Sequence, residues 1–171
     1  MIMEDHLIDI VDEHDKVIGK DTKENKFANE LISRNVVAFV KNSKGDLIIV
    51  KRSPHKRSWP NRLDLATCGN VNVGETYDQA IKREIQEELQ VDCELTFVEK
   101  IFTEVEENGK KVRYFTGVYI STTDQIPQLS DEHLSLETIS PVKLKRKMQE
   151  QPDLFSPSFI REFFEFEHIL L

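Results

Sequence analysis

The 171-residue sequence predicts an α/β fold, an α/β/α sandwich in which helices cover both faces of a mixed central sheet. Short runs of apolar and β-branched residues, bounded by turn residues, recur along the chain and indicate strands. Helical patterns occur singly between these runs rather than in blocks. The best-defined helix follows a glycine-containing stretch at residues 69–76 and carries several carboxylates, which indicates a ligand site beside the sheet.

The first half of the chain is predicted to form two hairpins. Turns are expected at residues 13–16 and 42–45, and a later hairpin turns at residues 107–110. Residues 20–32 are polar and mixed, which predicts a loop with a helical turn. The predicted strands are 7–11, 17–20, 35–40, 46–51, 63–68, 93–98, 101–105 and 112–120.

The central helix begins with a capping box. Thr76 is the predicted N-cap, Gln79 reaches back to it, and Asp78 suits the positive end of the helix dipole. One face of this helix has the spacing of a buried stripe, formed by Ala80, Ile81, Ile85 and Leu89.

Two further helices are predicted near the end of the chain. Pro141 begins a basic helix at residues 142–149, and a turn at 153–157 leads into a Phe-rich amphipathic helix at 158–169. The apolar face of this last helix packs on the protein's own core or on a second copy, so a homodimer is left open.

Three carboxylates, Glu84, Glu87 and Glu88, lie within about a 100° arc of the central helix. Like charges at this spacing repel each other, and only Arg83 is within reach to offset them. A hard divalent cation bound by carboxylate oxygens would offset the repulsion. The alternative is a solvated acidic helix face, which is common.

Composition limits the classes of partner. The chain has 23 Lys and Arg against 31 Asp and Glu, a net charge of −8, which argues against a broad nucleic-acid or anionic membrane surface. Cys68 and Cys93 do not make a disulfide scaffold. We find no signal peptide pattern and no apolar run near the ~20 residues of a membrane span. We expect a single domain over residues 1–171 in the cytoplasm.

Residues 69–91, GNVNVGETYDQAIKREIQEELQV, resemble the Nudix box. The positions in register are Gly69, Glu75, Arg83, Glu84, Ile85, Glu87, Glu88 and Val91. Gln90 stands where the family pattern has Gly; a left-handed backbone there would cost about 1 kcal/mol.

The resemblance implies hydrolysis of a nucleoside diphosphate linked to another moiety, with Mg²⁺ or Mn²⁺ as cofactor and a small-molecule diphosphate as substrate. It implies that Glu84, Glu87 and Glu88 bind the metal. Glu75 would pair with Arg83 and orient the loop, and Gly69 would offer backbone to metal or phosphate. The catalytic base varies in this family; it is a box glutamate or one of Glu104, Glu106, Glu107, Glu132 and Glu137.

The most cationic stretch, residues 51–60, immediately precedes the box and is named the cationic loop. Arg52 and Lys56 are candidate ligands of the substrate phosphates, since Arg contacts phosphate bidentately and Lys acts as a point charge. The alternative is a solubilising loop. Trp59 is expected to pack over this loop, although stacking on a base is also compatible with its position.

A second resemblance is to the isopentenyl-diphosphate-isomerase-like branch of the family. It is carried by residues 9–13, 51–53, 59–60, 64–69 and 155–157. In true isomerases a Cys just before the box glycine acts on the isoprenoid, and Cys68 stands at that position. Arg52 and Lys56 match residues that hold the diphosphate.

Several departures count against isomerase activity. Asn70 and Ser33 replace metal-binding His residues, no Glu-x-Glu occurs around 112–114, and Ser158 replaces Trp. We therefore interpret Cys68 as a small buried residue and keep the isomerase, and a catalytically silent Nudix-fold binding module, as alternatives. The histidines show no ligand spacing and are interpreted as surface or core residues: His6, His14, His55, His133 and His168.

Overall fold

The structure is a computed structural model that describes residues 6–171. The fold is mixed α/β, with a large mixed sheet and helices, as the sequence predicts. The strands are β1 (Leu7–Val11), β2 (Val17–Thr22), β3 (Ile32–Lys41), β4 (Leu47–Arg52), β5 (Leu63–Leu65), β6 (Thr67–Asn70), β7 (Glu94–Glu107), β8 (Lys110–Thr122) and β9 (His133–Ile139). The helices are α1 (Lys23–Ala28), α2 (Tyr77–Glu88), α3 (Pro141–Glu150) and α4 (Pro157–Leu170), with a 3₁₀ turn at Pro152–Leu154.

The chain divides into two compact units. Within the described residues, the first consists of residues 6–37, Cys68–Glu84 and Thr96–Tyr119. The second consists of Ala38–Thr67, Ile85–Leu95 and Ile120–Leu171. Strand β3 and helix α2 each contribute residues to both units.

In the first unit, the predicted turns are confirmed. Antiparallel β1 and β2 are joined through a turn in which Asp12 accepts the backbone N–H groups of His14 and Lys16 at 2.8 and 3.0 Å. Asn108 and Gly109 take the left-handed backbone, with φ of 51° and 75°, that a tight β7–β8 hairpin requires.

Two boundaries in the first unit differ from the prediction. β7 is one continuous strand, whereas the sequence predicted strands at 93–98 and 101–105. The two adjacent polar residues Glu99 and Lys100 indicated a break between two strands, and that prediction was wrong. Both side chains are exposed, and a strand tolerates polar residues at exposed positions. The predicted loop at 20–32 contains the end of β2, the six-residue α1 and the start of β3.

In the second unit, β4 lies between β5 and β9, antiparallel to both, with Ile49 opposite Leu65 and Glu137. β9 was not predicted, because apolar residues alternate regularly with polar ones only at Leu134 and Leu136, which is too short a pattern to indicate a strand. The predicted strand at 63–68 is broken at Ala66 into β5 and β6.

The Phe-rich face of α4 is buried within the second unit. Phe159, Phe163 and Phe166 are at most 1% exposed, and the Phe166 ring lies 6.2 Å from that of Phe39. Fully burying each ring contributes roughly 1.5–3 kcal/mol. Of the two arrangements that the sequence left open for this helix, the structure shows packing on the chain's own core.

None of the helices between residues 6 and 171 has the length and apolar character that a membrane span requires.

Lys26 on α1 is buried at 5% exposure, with its ammonium group 4.4 Å from the Phe27 ring centroid and 5.5 Å from that of Tyr114. Burial lowers the pKa of Lys26 to about 8. Below pH 8 the folded protein holds a desolvated charge, and that cost disappears as the pH rises from about 8 towards the ordinary lysine pKa of 10.5.

We therefore predict that Lys26→Met raises the free energy of unfolding at pH 7 by up to roughly 3 kcal/mol, and that this gain shrinks between pH 8 and 10.5. Urea unfolding of both proteins across this pH range measures the difference. Lys23→Met, on the exposed side of the same helix, is the matched control and should change stability by no more than about 0.5 kcal/mol. Equal effects of the two substitutions would contradict the prediction.

Candidate functional site

Helix α2 is built as the sequence predicts. The Thr76 hydroxyl accepts the backbone N–H of Gln79 at 3.1 Å, and the Gln79 side chain accepts that of Thr76 at 3.0 Å, so the capping box is confirmed. Gln90, just after the helix, has a φ of 53°, the left-handed conformation for which the family pattern provides Gly. The predicted apolar stripe is at most 2% exposed: Ala80, Ile81, Ile85 and Leu89.

The loop that precedes α2 is fixed by backbone contacts within the first unit. The Val71 N–H donates to the Arg34 carbonyl at 2.9 Å. Gly74 has a φ of 80°, and its N–H donates to the buried carboxylate of Asp9 at 3.3 Å. No local pattern in the sequence singles out Asp9, because its contact with Gly74 depends on the pairing of β1 with this loop.

Arg83 connects the loop to the helix. Its guanidinium donates to both carboxylate oxygens of Glu75 at 2.6 and 2.9 Å, to Glu84 at 2.7 Å and to the Asn70 carbonyl at 2.9 Å. The predicted pairing of Glu75 with Arg83 is thus present. These hydrogen bonds are the main reason that the pKa of Glu75 is lowered and that of Arg83 is raised.

Gly69 provides the space that the Glu84 side chain occupies. A methyl group added at Gly69 would overlap the Glu84 carboxylate, so only glycine fits at this position without displacing it. Arg83 and Gly69 therefore hold the Glu84 carboxylate from two sides.

The three box carboxylates do not share one environment. Glu84 and Glu88, one helical turn apart, are 9% and 4% exposed, whereas Glu87 is exposed. The two buried carboxylates lie beside the apolar stripe, while Glu87 is rotated towards solvent. Among residues 6–171, the side chains of His, Cys, Asp and Glu do not form a ready-made cluster of three or more metal ligands.

His133 lies against Glu88 in the second unit. The sequence predicts a surface or core role for this histidine. In the structure its Nε2 atom is 3.8 Å from Glu88 Oε2, and the two side chains are only 6% and 5% exposed. The pKa of the imidazole is lowered, mainly because the ring is buried. No spacing in the sequence indicates this contact, because it depends on β9 and on the loop before it.

The two predicted phosphate ligands of the cationic loop contact acidic partners. Arg52 donates to Asp64 at 2.9 Å and to the Ser58 carbonyl at 3.0 Å, and Lys56 forms a 2.9 Å ion pair with Glu132. The Arg62 guanidinium lies 5.0 Å from the centroid of the Trp59 ring. This contact agrees with the expectation that Trp59 packs over the loop.

The five candidate bases outside the box are all exposed. Glu132 pairs with Lys56, and Glu137 lies on β9. The other three follow one another along β7: Glu104, Glu106 and Glu107.

Cys68 was expected to be buried, and that expectation was wrong. The residue is partly exposed on β6, a strand of four residues in which only Thr67 is fully covered.

Comparison with known proteins identifies the family of the chain. A family model for the NUDIX domain matches residues 31–159, and the chain belongs to that family. It is 42% identical over 96 residues to an uncharacterised Nudix hydrolase of Nostoc, a match that covers 56% of this chain and 57% of the relative. A solved structure from Deinococcus radiodurans is 30% identical, with a TM-score of 0.69 over 85% of this chain and 90% of the other.

The isomerase-like branch also appears among the relatives. An isopentenyl-diphosphate Delta-isomerase of Photorhabdus laumondii is 27% identical over 157 residues, 91% of this chain and 89% of that protein. The match to the Nostoc protein covers little more than half of its length, so the activity of that whole protein does not transfer directly.

We predict that Gly69→Ala lowers the free energy of unfolding by roughly 1–3 kcal/mol, because the added methyl displaces a buried carboxylate that Arg83 holds. Gly19→Ala is the matched control: a strand glycine whose added methyl meets no atom within 4 Å, and its substitution should not destabilise the protein. Chemical unfolding of both variants measures this, and equal stabilities would contradict the packing of Glu84 on Gly69.

Proposed function

We propose that the protein catalyses Mg²⁺- or Mn²⁺-dependent hydrolysis of a pyrophosphate bond in a nucleoside diphosphate derivative or a related diphosphate ester. The observation that carries the proposal is the pair of buried carboxylates, Glu84 and Glu88, one turn apart on α2. Two carboxylates at this spacing on one helix face repel each other, and a bound divalent cation would offset that repulsion. Membership of the Nudix family supports this class of reaction.

The residues present fit a hard divalent cation. Glu84 and Glu88 offer oxygen ligands, and the absence of a side chain at Gly69 makes room for the Glu84 carboxylate. Mg²⁺ commonly uses one or two carboxylates and completes its shell with waters and substrate phosphates, so a preformed cluster of three ligands is not required. When bound, such a cation neutralises phosphate charge and lowers the pKa of water.

The other predicted residues have supporting roles in the proposal. Arg83 fixes the Glu84 carboxylate and is itself aligned by Glu75. Glu87, at the exposed edge of the helix, is the ligand on the solvent side. Arg52 and Lys56 would contact the diphosphate, which requires them to exchange or share their contacts with Asp64 and Glu132.

We also propose that the whole chain acts as one Nudix domain in the cytoplasm, on a small-molecule substrate, without nucleic-acid or membrane partners. The net charge of −8 supports the last point, because a polyanionic surface would be repelled. A catalytically silent binding module has no need of the intact box glutamates, of which Arg83 holds Glu84 in place.

The decisive experiment measures phosphate-containing products from a panel of nucleoside diphosphate derivatives and diphosphate esters. The wild type should turn over at least one member with Mg²⁺ or Mn²⁺, and chelation of the metal should abolish turnover. We predict that Glu88→Gln lowers kcat about 100-fold or more, since a metal contributes several kcal/mol and about 1.4 kcal/mol is tenfold in rate. Glu99→Gln, an exposed residue on β7, is the matched control and should retain activity.

Turnover that Glu88→Gln leaves intact would contradict the proposed site. Migration of the double bond of isopentenyl diphosphate, lost in Cys68→Ala, would instead favour the isomerase, because Cys68 is accessible enough on β6 to act.

A further inference from the structure

The roles proposed for the box residues do not account for the Glu88–His133 pair. Nothing in the Nudix box requires a histidine at residue 133. Its imidazole Nε2 atom nevertheless lies 3.8 Å from the Glu88 carboxylate, and the two side chains are only 6% and 5% exposed. Two polar groups that are buried side by side interact more strongly than they would in water. The surrounding chain shows how this contact is built.

The chain delivers His133 to this position through two contacts at the end of α2. The Gln128 N–H donates to the Leu89 carbonyl at 2.9 Å, and the Gln125 side chain accepts the Asp92 N–H at 2.9 Å. These bonds tie the loop before β9 to the residues just after Glu88. On the other side, β9 pairs with β4, with His133 opposite Arg52 at a shift in register. Backbone contacts therefore fix the position of His133 independently of its own side chain.

Ser130 sets the orientation of the ring. Its hydroxyl oxygen lies 3.3 Å from His133 Nδ1, and the same oxygen accepts the backbone N–H of Glu132 at 3.4 Å. An ionised carboxylate can only accept hydrogen bonds, so Glu88 beside Nε2 favours the tautomer with its proton on Nε2, and in that tautomer the Ser130 hydroxyl donates to Nδ1. A neutral imidazole that accepts at Nδ1 carries its own proton at Nε2, the atom that faces Glu88.

We propose that His133 is a positioning residue that holds the Glu88 carboxylate through its Nε2–H, so that Glu88 presents its other oxygen to a divalent cation. The proposal rests on the proposed function, because it assumes that Glu88 is a metal ligand. A hydrogen-bond donor that contacts a metal-binding side chain raises metal affinity, because it fixes the orientation of that side chain. The 3.8 Å separation is longer than a hydrogen bond, and such contacts commonly shorten when the ligand and substrate bind.

The test compares three substitutions of His133 by direct measurement of Mn²⁺ binding, using the EPR signal of free Mn²⁺ without substrate. His133→Phe keeps the ring volume and removes the donor, and we expect Mn²⁺ affinity to fall about 10- to 100-fold. His133→Gln keeps a side-chain N–H donor and should recover most of the affinity. His133→Asn, whose shorter side chain cannot place a donor at the Nε2 position, should resemble His133→Phe.

Two further variants make the result specific. Ser130→Ala removes the group that orients the ring and should weaken Mn²⁺ binding in the same direction, by less than His133→Phe. His55→Phe changes an exposed histidine of the cationic loop and should leave binding at the wild-type value. Thermal unfolding identifies any variant that has lost its fold, and the Ser130 and Gln variants still test the proposal if His133→Phe does not fold.

Wild-type Mn²⁺ affinity in folded His133→Phe would overturn the positioning role while leaving the proposed function intact. Failure of His133→Gln to bind better than His133→Asn would also overturn it, since the donor would then be irrelevant. If the wild type itself bound no Mn²⁺ and hydrolysed no diphosphate, the proposed function would fall, and the role of His133 with it.

Discussion

The guanidinium of Arg83 is the interaction on which the candidate site depends. It contacts Glu75, Glu84 and the Asn70 carbonyl, so one side chain fixes the loop, the helix and a box carboxylate together. Charge-assisted bonds of this kind are about twice as strong as neutral ones, and removing one partner from such a network leaves the others with unpaired charge. Arg83 therefore offsets the negative charge of Glu84 without a metal. A bound cation would mainly offset the repulsion between Glu84 and Glu88.

Much of this local chemistry is predictable from the sequence, because it depends on residues close together in the chain. The capping box, the apolar stripe and the pairing of Glu75 with Arg83 all lie within the 69–91 stretch. The left-handed backbone at Asn108 follows from residue type and turn position, whereas at Gln90 it follows from the resemblance to the Nudix box, which has Gly at that position. Such features need only the geometry of one helix or one turn.

Other parts of the site depend on tertiary pairing, which local patterns do not specify. The three box glutamates are equivalent in sequence, yet the packing of the apolar stripe buries Glu84 and Glu88 and exposes Glu87. His133 reaches Glu88 only because β9 pairs with β4 and a loop is tied to the end of α2. The ion pair of Lys56 with Glu132 has the same origin, so the charge of the cationic loop is partly offset in a way that composition does not show.

A crystal structure with Mn²⁺ and a non-hydrolysable diphosphate ester tests the central claim most directly, because anomalous scattering locates the metal without assumptions. We expect an anomalous peak from Mn²⁺ within coordination distance of the Glu84 and Glu88 oxygens, with the diphosphate bound to the same ion. Carboxylates that keep their apo contacts while Mn²⁺ and the ester bind elsewhere, or not at all, would contradict it.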